Sequence, residues 1–132
     1  MADNSSRVQW IGRGISILPC LLFVFSAVIK LKGGPDLSEG FAHLGIPDSL
    51  ALPLAAVELS CVAVYLIPVT SILGAILLTG FLGGAICAHL RVGDPFLVHI
   101  ALGVLIWLGL WLREDRVRAL IPLRRRAALP RT

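Results

Sequence analysis

Residues 50–67 read LALPLAAVELSCVAVYLI. Eighteen residues pass with a single charged side chain, Glu58, at the middle. Coiled as a helix at about 1.5 Å per residue, the run is about 27 Å long, close to the hydrocarbon thickness of a bilayer. A carboxylic acid at that depth costs about 2.5–3.5 kcal/mol on insertion scales. The stretch therefore reads as a membrane span whose acid needs a partner or a use, and the remaining sequence reads as the scaffold around it.

Composition supports that reading. The chain has 132 residues, of which 57% are hydrophobic, against about 45–50% in a soluble domain. An integral membrane protein of one domain is expected. The formal charge of +4 does not point to nucleic acid, because the basic residues flank apolar runs as topology signals do. Cys20, Cys61 and Cys87 lie within apolar runs and form no C-x-x-C pair, so neither a zinc site nor a dithiol redox motif is indicated. They read as buried cysteines acting as small apolar residues.

Four spans are predicted, at 14–31, 50–67, 72–90 and 96–112. Residues 1–13 form a cytoplasmic segment, with a polar, irregular start at 1–6. A positive start followed by an apolar core also fits a signal peptide, but the run is longer than a usual apolar h-region and no A-x-A site follows. Pro19 falls inside the first span, where it should kink the helix or leave a carbonyl free. Gly33, Gly34 and Pro35 stop that span. The long connection KGGPDLSEGFAHLGIPDS then sets Leu37, Phe41 and Leu44 on one side of a short interfacial helix, with Asp36 or Ser38 as its cap. Asp48 or Ser49 caps the second span, and Pro53 sits in its tolerated first turn. The uncharged link at Pro68 is so short that spans two and three must be antiparallel neighbours. In the third span Gly80, Gly84 and Ala88 recur every four residues, a face that lets another helix approach closely; packing inside the bundle is the expected use and a partner protein the other.

Orientation follows from the positive charges. With four spans, one side of the membrane holds nine Lys and Arg residues and the other holds Lys30, Lys32 and Arg91. Both termini are therefore cytoplasmic, and residues 113–132 are a basic cytoplasmic tail. Trp10, Trp107 and Trp111 fall at that same inner interface. Arg113, Arg116, Arg118 and the run Arg124–Arg125–Arg126 read as an orientation signal that also meets anionic headgroups.

The topology gives the polar groups one address. Ser26 and Lys30, four apart, end the first span on the outer side. Glu58 lies about 12 Å down the second span. His89 closes the third and His99 opens the fourth. An outward-facing polar pocket of Lys30, Glu58, His89, His99 and Ser26 is expected, with Lys30 as the first partner of Glu58 and His89 or His99 as alternatives. The plainer reading is a buried acid bonded to a serine, a tyrosine or backbone as interhelical glue. His43 and Arg91 read as solvated loop residues. His89, His99 and Asp94 have the residue types of a metal site but lack its spacing, so no metal is expected.

Several stretches carry a family resemblance: FVFSAVIKLKGGP at the end of the first span, EGFAHLGIP in the loop, AAVELSCVAVYLIP around Glu58, LGAILLTGFLGGAICAHLRVGDP through the third span, and GVLIWLGLWLRE. Over about residues 12–122 the chain resembles the DoxX-like family of small four-span membrane proteins. Lys30, Glu58 and His89 fall on that family's recurring polar positions. Ser26-Ala27 departs from the usual serine-glycine. The family takes its name from the small membrane subunit of an archaeal thiosulfate:quinone oxidoreductase, and some relatives are associated with redox or oxidative-stress partners. Four spans are also found in vitamin K epoxide reductase, but its C-x-x-C dithiol is missing here, which argues against an autonomous disulfide oxidoreductase.

The expected fold is all-α, a transmembrane four-helix bundle with a short interfacial helix in the first outer loop, lying multi-pass in the inner (plasma) membrane. Two function classes follow. The first is a non-catalytic or accessory subunit whose pocket takes a quinone or another small ligand and which assembles with a redox partner. The second is a small transporter or proton-coupled carrier that uses Glu58; at this size it would act only as a homo-oligomer. No nucleophile–base pair or cofactor motif marks an enzyme, and no catalytic residue is assigned.

Overall fold

The computed structural model describes residues 2–122, and every regular element among them is helical. α1 spans Ala2–Lys32, α2 Pro35–Leu44, α3 Ala51–Leu66, α4 Ser71–Arg91, α5 Leu97–Arg113 and α6 Asp115–Leu120. Short 3-10 turns at Asp48–Leu50 and Pro68–Thr70 lead into α3 and α4. Arg124, Arg125, Arg126 and Arg131 of the basic tail lie outside the described residues.

Three stretches are long and apolar enough to cross a membrane: Asn4–Lys32, Asp48–Leu66 and Pro68–Arg91. The fourth apolar helix, Leu97–Arg113, has 17 residues, the short end of what a bilayer needs. Large apolar side chains such as Leu21, Phe25, Leu52, Leu73 and Val98 stand on the outside of these helices. In water such a surface would be a liability, whereas against lipid tails it costs nothing.

α1 packs on α3 and α5, and α4 packs on the same two helices, so the order around the cluster is α1, α3, α4, α5. At one end the packing is very close. A Cβ added to Gly74 would sit 2.2 Å from Tyr65 Cα and 2.3 Å from Tyr65 N, so α3 and α4 meet backbone to backbone. Gly12 and Gly109 bring α1 and α5 together in the same manner, with Ser16 Oγ 2.4 Å from where a Gly109 Cβ would stand. The fully buried Tyr65 joins three helices there. Its hydroxyl lies 2.8 Å from the Ile106 carbonyl and 3.0 Å from Ser16 Oγ, while Ser16 donates to the Gly12 carbonyl. Arg113 stacks over the Tyr65 ring at 4.6 Å and donates to its carbonyl.

Four sequence expectations change. The first helix was placed at 14–31 with an irregular start, yet it is helical from Ala2. No proline or glycine interrupts the chain before Gly12, and the Gly12–Gly109 contact holds this part of α1 against α5. The helix also continues through Pro19, whose side chain is fully buried. The expected caps are unused: Gly34 caps α2, no side chain caps either helix, and Ser38 instead donates to Asp48 at 2.7 Å. The small-residue face of α4 does not admit a helix at Gly80 or Gly84, where an added Cβ would meet nothing within 4 Å. Close approach occurs at Gly74, because α4 converges on α3 at their shared turn. Finally, α6 forms where only a charged tail was expected, with Val117 buried and the Trp111 indole donating to the Ile121 carbonyl.

Candidate functional site

At the end of the cluster away from Tyr65, the helices line a cavity of about 690 Å³ that is open along one side, where Phe25 of α1 is both a lining residue and 64% exposed; the volume is well within the usual size for small-molecule sites. The space exists because the α4 wall is made of Gly80, Gly84, Ala85 and Ala88, which fill little of it. α1 contributes Leu22, Phe25, Ile29 and the polar pair Ser26 and Lys30; α3 contributes Leu54 and Glu58; α5 contributes His99 and Leu102. α2 covers the cavity with Leu37, Phe41 and Leu44.

The polar centre is an ion pair. Lys30 Nζ lies 2.8 Å from Glu58 Oε2 and 2.5 Å from Ser26 Oγ. The Glu58 side chain is 2% exposed and that of Lys30 14%. Lys30 stands in the last turn of α1, where a cation complements the carbonyl end of the helix. Its four-carbon stem turns back along the helix face past Ser26 rather than out to water. Both charges have left bulk solvent, so the pair is held by direct contact and not by screening. Two of the three ammonium protons are used by Ser26 and Glu58, leaving one donor uncommitted by these contacts.

His89, in the last turn of α4, and His99, in the first turn of α5, complete the lining. Their rings lie 4.7 Å apart at 38°. Neither is a hydrogen-bond partner of Glu58; that place is taken by Lys30. His99 Nδ1 is buried without a hydrogen-bond partner among the described residues. His89 Nδ1 is 3.4 Å from Asp94 Oδ2.

Outside the cavity the rim is laced with polar contacts that the sequence did not disclose. His43 Nε2 lies 3.0 and 2.9 Å from the two carboxylate oxygens of Asp94. Its hydrogen bond, followed by that of His89, holds the Asp94 carboxyl below the usual carboxylate range. Asp94 is therefore ionised and accepts, so His43 Nε2 carries the proton. Arg91 donates to the Leu44 carbonyl. His43 and Arg91 are exposed, as expected, but they lie in α2 and α4 rather than in loops, and they tie α2 to the end of α4 and to the loop that follows it. The partners lie 51 and 47 residues apart in sequence, and no local pattern links them.

No three His, Cys, Asp or Glu side chains among the described residues are grouped as metal ligands would be. All three cysteines are free thiols; Cys20 and Cys61 are buried, whereas Cys87, expected to be buried, is exposed on α4. What the arrangement offers chemically is a mostly apolar chamber with a charge-compensated lysine, two imidazoles and a serine at its polar end.

The protein-family model described as the DoxX-like family matches residues 14–112 of the chain. No curated protein and no solved structure matches it.

Proposed function

The chain belongs to the DoxX-like family, and from that membership we propose that this integral membrane protein is an accessory subunit whose cavity binds a small lipid-soluble ligand. In this reading the apolar helices form a transmembrane four-helix bundle in the plasma membrane. Both termini face the cytoplasm, and the Lys30–Glu58 end faces outward. The positive-charge count supports this orientation, and the apolar outer surface of the helices supports the embedding.

The observation that carries the proposal is the ion pair inside the cavity. Lys30 is already neutralised by Glu58 at 2.8 Å. A ligand with a net charge would bring that charge into an apolar chamber without a counter-ion, which is costly. An uncharged molecule with one strong acceptor fits better. Its carbonyl would take the remaining Lys30 proton, and its apolar part would lie along the glycine wall of α4. A quinone has this chemistry, and a redox partner protein would supply or remove its electrons. The subunit itself would bind and position the ligand.

The test is purification in mild detergent followed by organic extraction and mass spectrometry of what remains bound. A quinone or other neutral lipid recovered with the parent protein, and depleted at least about tenfold in Lys30→Met, is the expected result. Equal recovery from both proteins would remove the proposal.

A further inference from the structure

The element that lies over one end of the cavity is α2, and it is attached unlike the others. Where α1, α3, α4 and α5 pack extensively on one another, α2 touches only α4 and the Asp48–Leu50 turn to any extent. Its apolar side plugs the cavity through Leu37, Phe41 and Leu44, with Phe41 buried. Its other contacts are ties at the rim: Ser38 to Asp48, His43 to Asp94, and Arg91 to the Leu44 carbonyl. These are solvent-exposed, and exposed ties are individually weak.

The chain at either end of α2 is made for a change of direction. Gly33 and Gly34 have φ of +65° and +115°, and an added Cβ at either would meet nothing within 4 Å. No side-chain packing fixes this joint. Gly45, at φ +68°, closes the other end.

We propose that α2 is a lid, and that release of its rim ties opens the cavity to water at this end of the protein. The proposal rests on the reading of the cavity as a ligand site and concerns how that site is reached. With the ties made, Phe41 and its neighbours cover the end of the apolar cavity beside the Lys30–Glu58 pair. With the ties broken, α2 swings about Gly33–Gly34 and exposes the α4 wall.

The experiment reads access without any ligand. The full chain is placed in nanodiscs, where both faces meet water, with Cys61→Ala, Cys87→Ser and the reporter Ala88→Cys in the cavity wall. Buried Cys20 is kept as an internal check that the protein is folded. The probe is a permanently charged, water-soluble methanethiosulfonate. Removing two ties with His43→Ala and Arg91→Ala should speed labelling of Ala88→Cys about tenfold, while Cys20 stays unlabelled. Should that variant expose Cys20, Ser38→Ala with His43→Ala replaces it. Unchanged labelling on loss of the ties overturns the lid, and so does a parent rate already equal to that of the exposed reporter Ser49→Cys. Modification only by an uncharged, lipid-soluble reagent overturns it as well, since the mouth then opens in the bilayer. A protein that yields no bound molecule on extraction would remove the ligand reading and leave the labelling result standing.

Discussion

Consider Lys30→Met and Glu58→Leu, alone and together. The pair is separated by 2.8 Å with side-chain exposures of 14% and 2%. At an effective dielectric of about 20 the attraction is of order 6 kcal/mol, most of which offsets the cost of taking both groups out of water. Removing one partner leaves the other buried and uncompensated, for which about 3–5 kcal/mol is typical. The two single variants should differ. Without Glu58, Lys30 sits in the last turn of α1 and can straighten toward water. Without Lys30, Glu58 stays in the body of α3 with no such exit. Lys30→Met should therefore cost the full amount and Glu58→Leu about 1–2 kcal/mol less. The double variant replaces both groups by apolar side chains of similar size and should lie within about 1 kcal/mol of the parent. Detergent-micelle unfolding with increasing dodecyl sulfate, followed by circular dichroism, gives the three differences. Additive single effects in the double variant, with coupling below about 0.5 kcal/mol, would refute the claim that the two charges stabilise each other.

Other substitutions probe the rest of the molecule. Gly74→Ala places a carbon 2.2 Å from Tyr65 Cα; α3 and α4 must separate, and the loss should exceed the roughly 1–3 kcal/mol of ordinary overpacking. Gly84→Ala meets open space and should be neutral or up to about 1 kcal/mol stabilising in the same titration, from helix propensity alone. Tyr65→Phe removes a buried hydroxyl that bridges α1 and α5 and should cost about 1–3 kcal/mol, because the Ile106 carbonyl loses its donor. For pH, the Asp94 carboxyl is held low, first by the His43 hydrogen bond. A depressed acid stabilises above its unfolded value and loses that contribution as pH falls through its folded one. Amide exchange in α2 should therefore accelerate, beyond the intrinsic chemical trend, only below the ordinary carboxylate range of about 4. In Asp94→Asn it should be fast already at neutral pH and show no such acid step.

The apolar helices were readable because runs of uniform apolar character end at residues with no side-chain or no donor option, such as Gly33–Gly34–Pro35 and Pro68. The antiparallel course of α3 and α4 followed from a link too short for anything else. Counting spans also assigned Lys30, Glu58, His89 and His99 to one end, and these four side chains line one cavity. What the sequence could not carry was which face of a helix meets a neighbour. Gly74 and Gly84 are equally small, but one lies under Tyr65 and the other beside empty space. That difference depends on where α3 and α4 diverge. The amino-terminal turns of α1 were missed because they have no apolar period and depend on a tertiary contact at Gly12. His43 is exposed, as its sequence context suggests; its contact with Asp94 was not legible because the two residues lie 51 apart in the chain.

The order in which the pair is synthesised has a consequence of its own. Lys30 precedes Glu58 by 28 residues, so the ammonium has left the ribosome before the acid does. When α3 reaches the hydrocarbon, α1 can already stand beside it, and Glu58 need never cross as a lone charge. On that order of events Lys30 would serve biogenesis before it serves the finished protein. Its loss should appear first as α3 failing to partition into the membrane, in nascent chains truncated before α4 has been made.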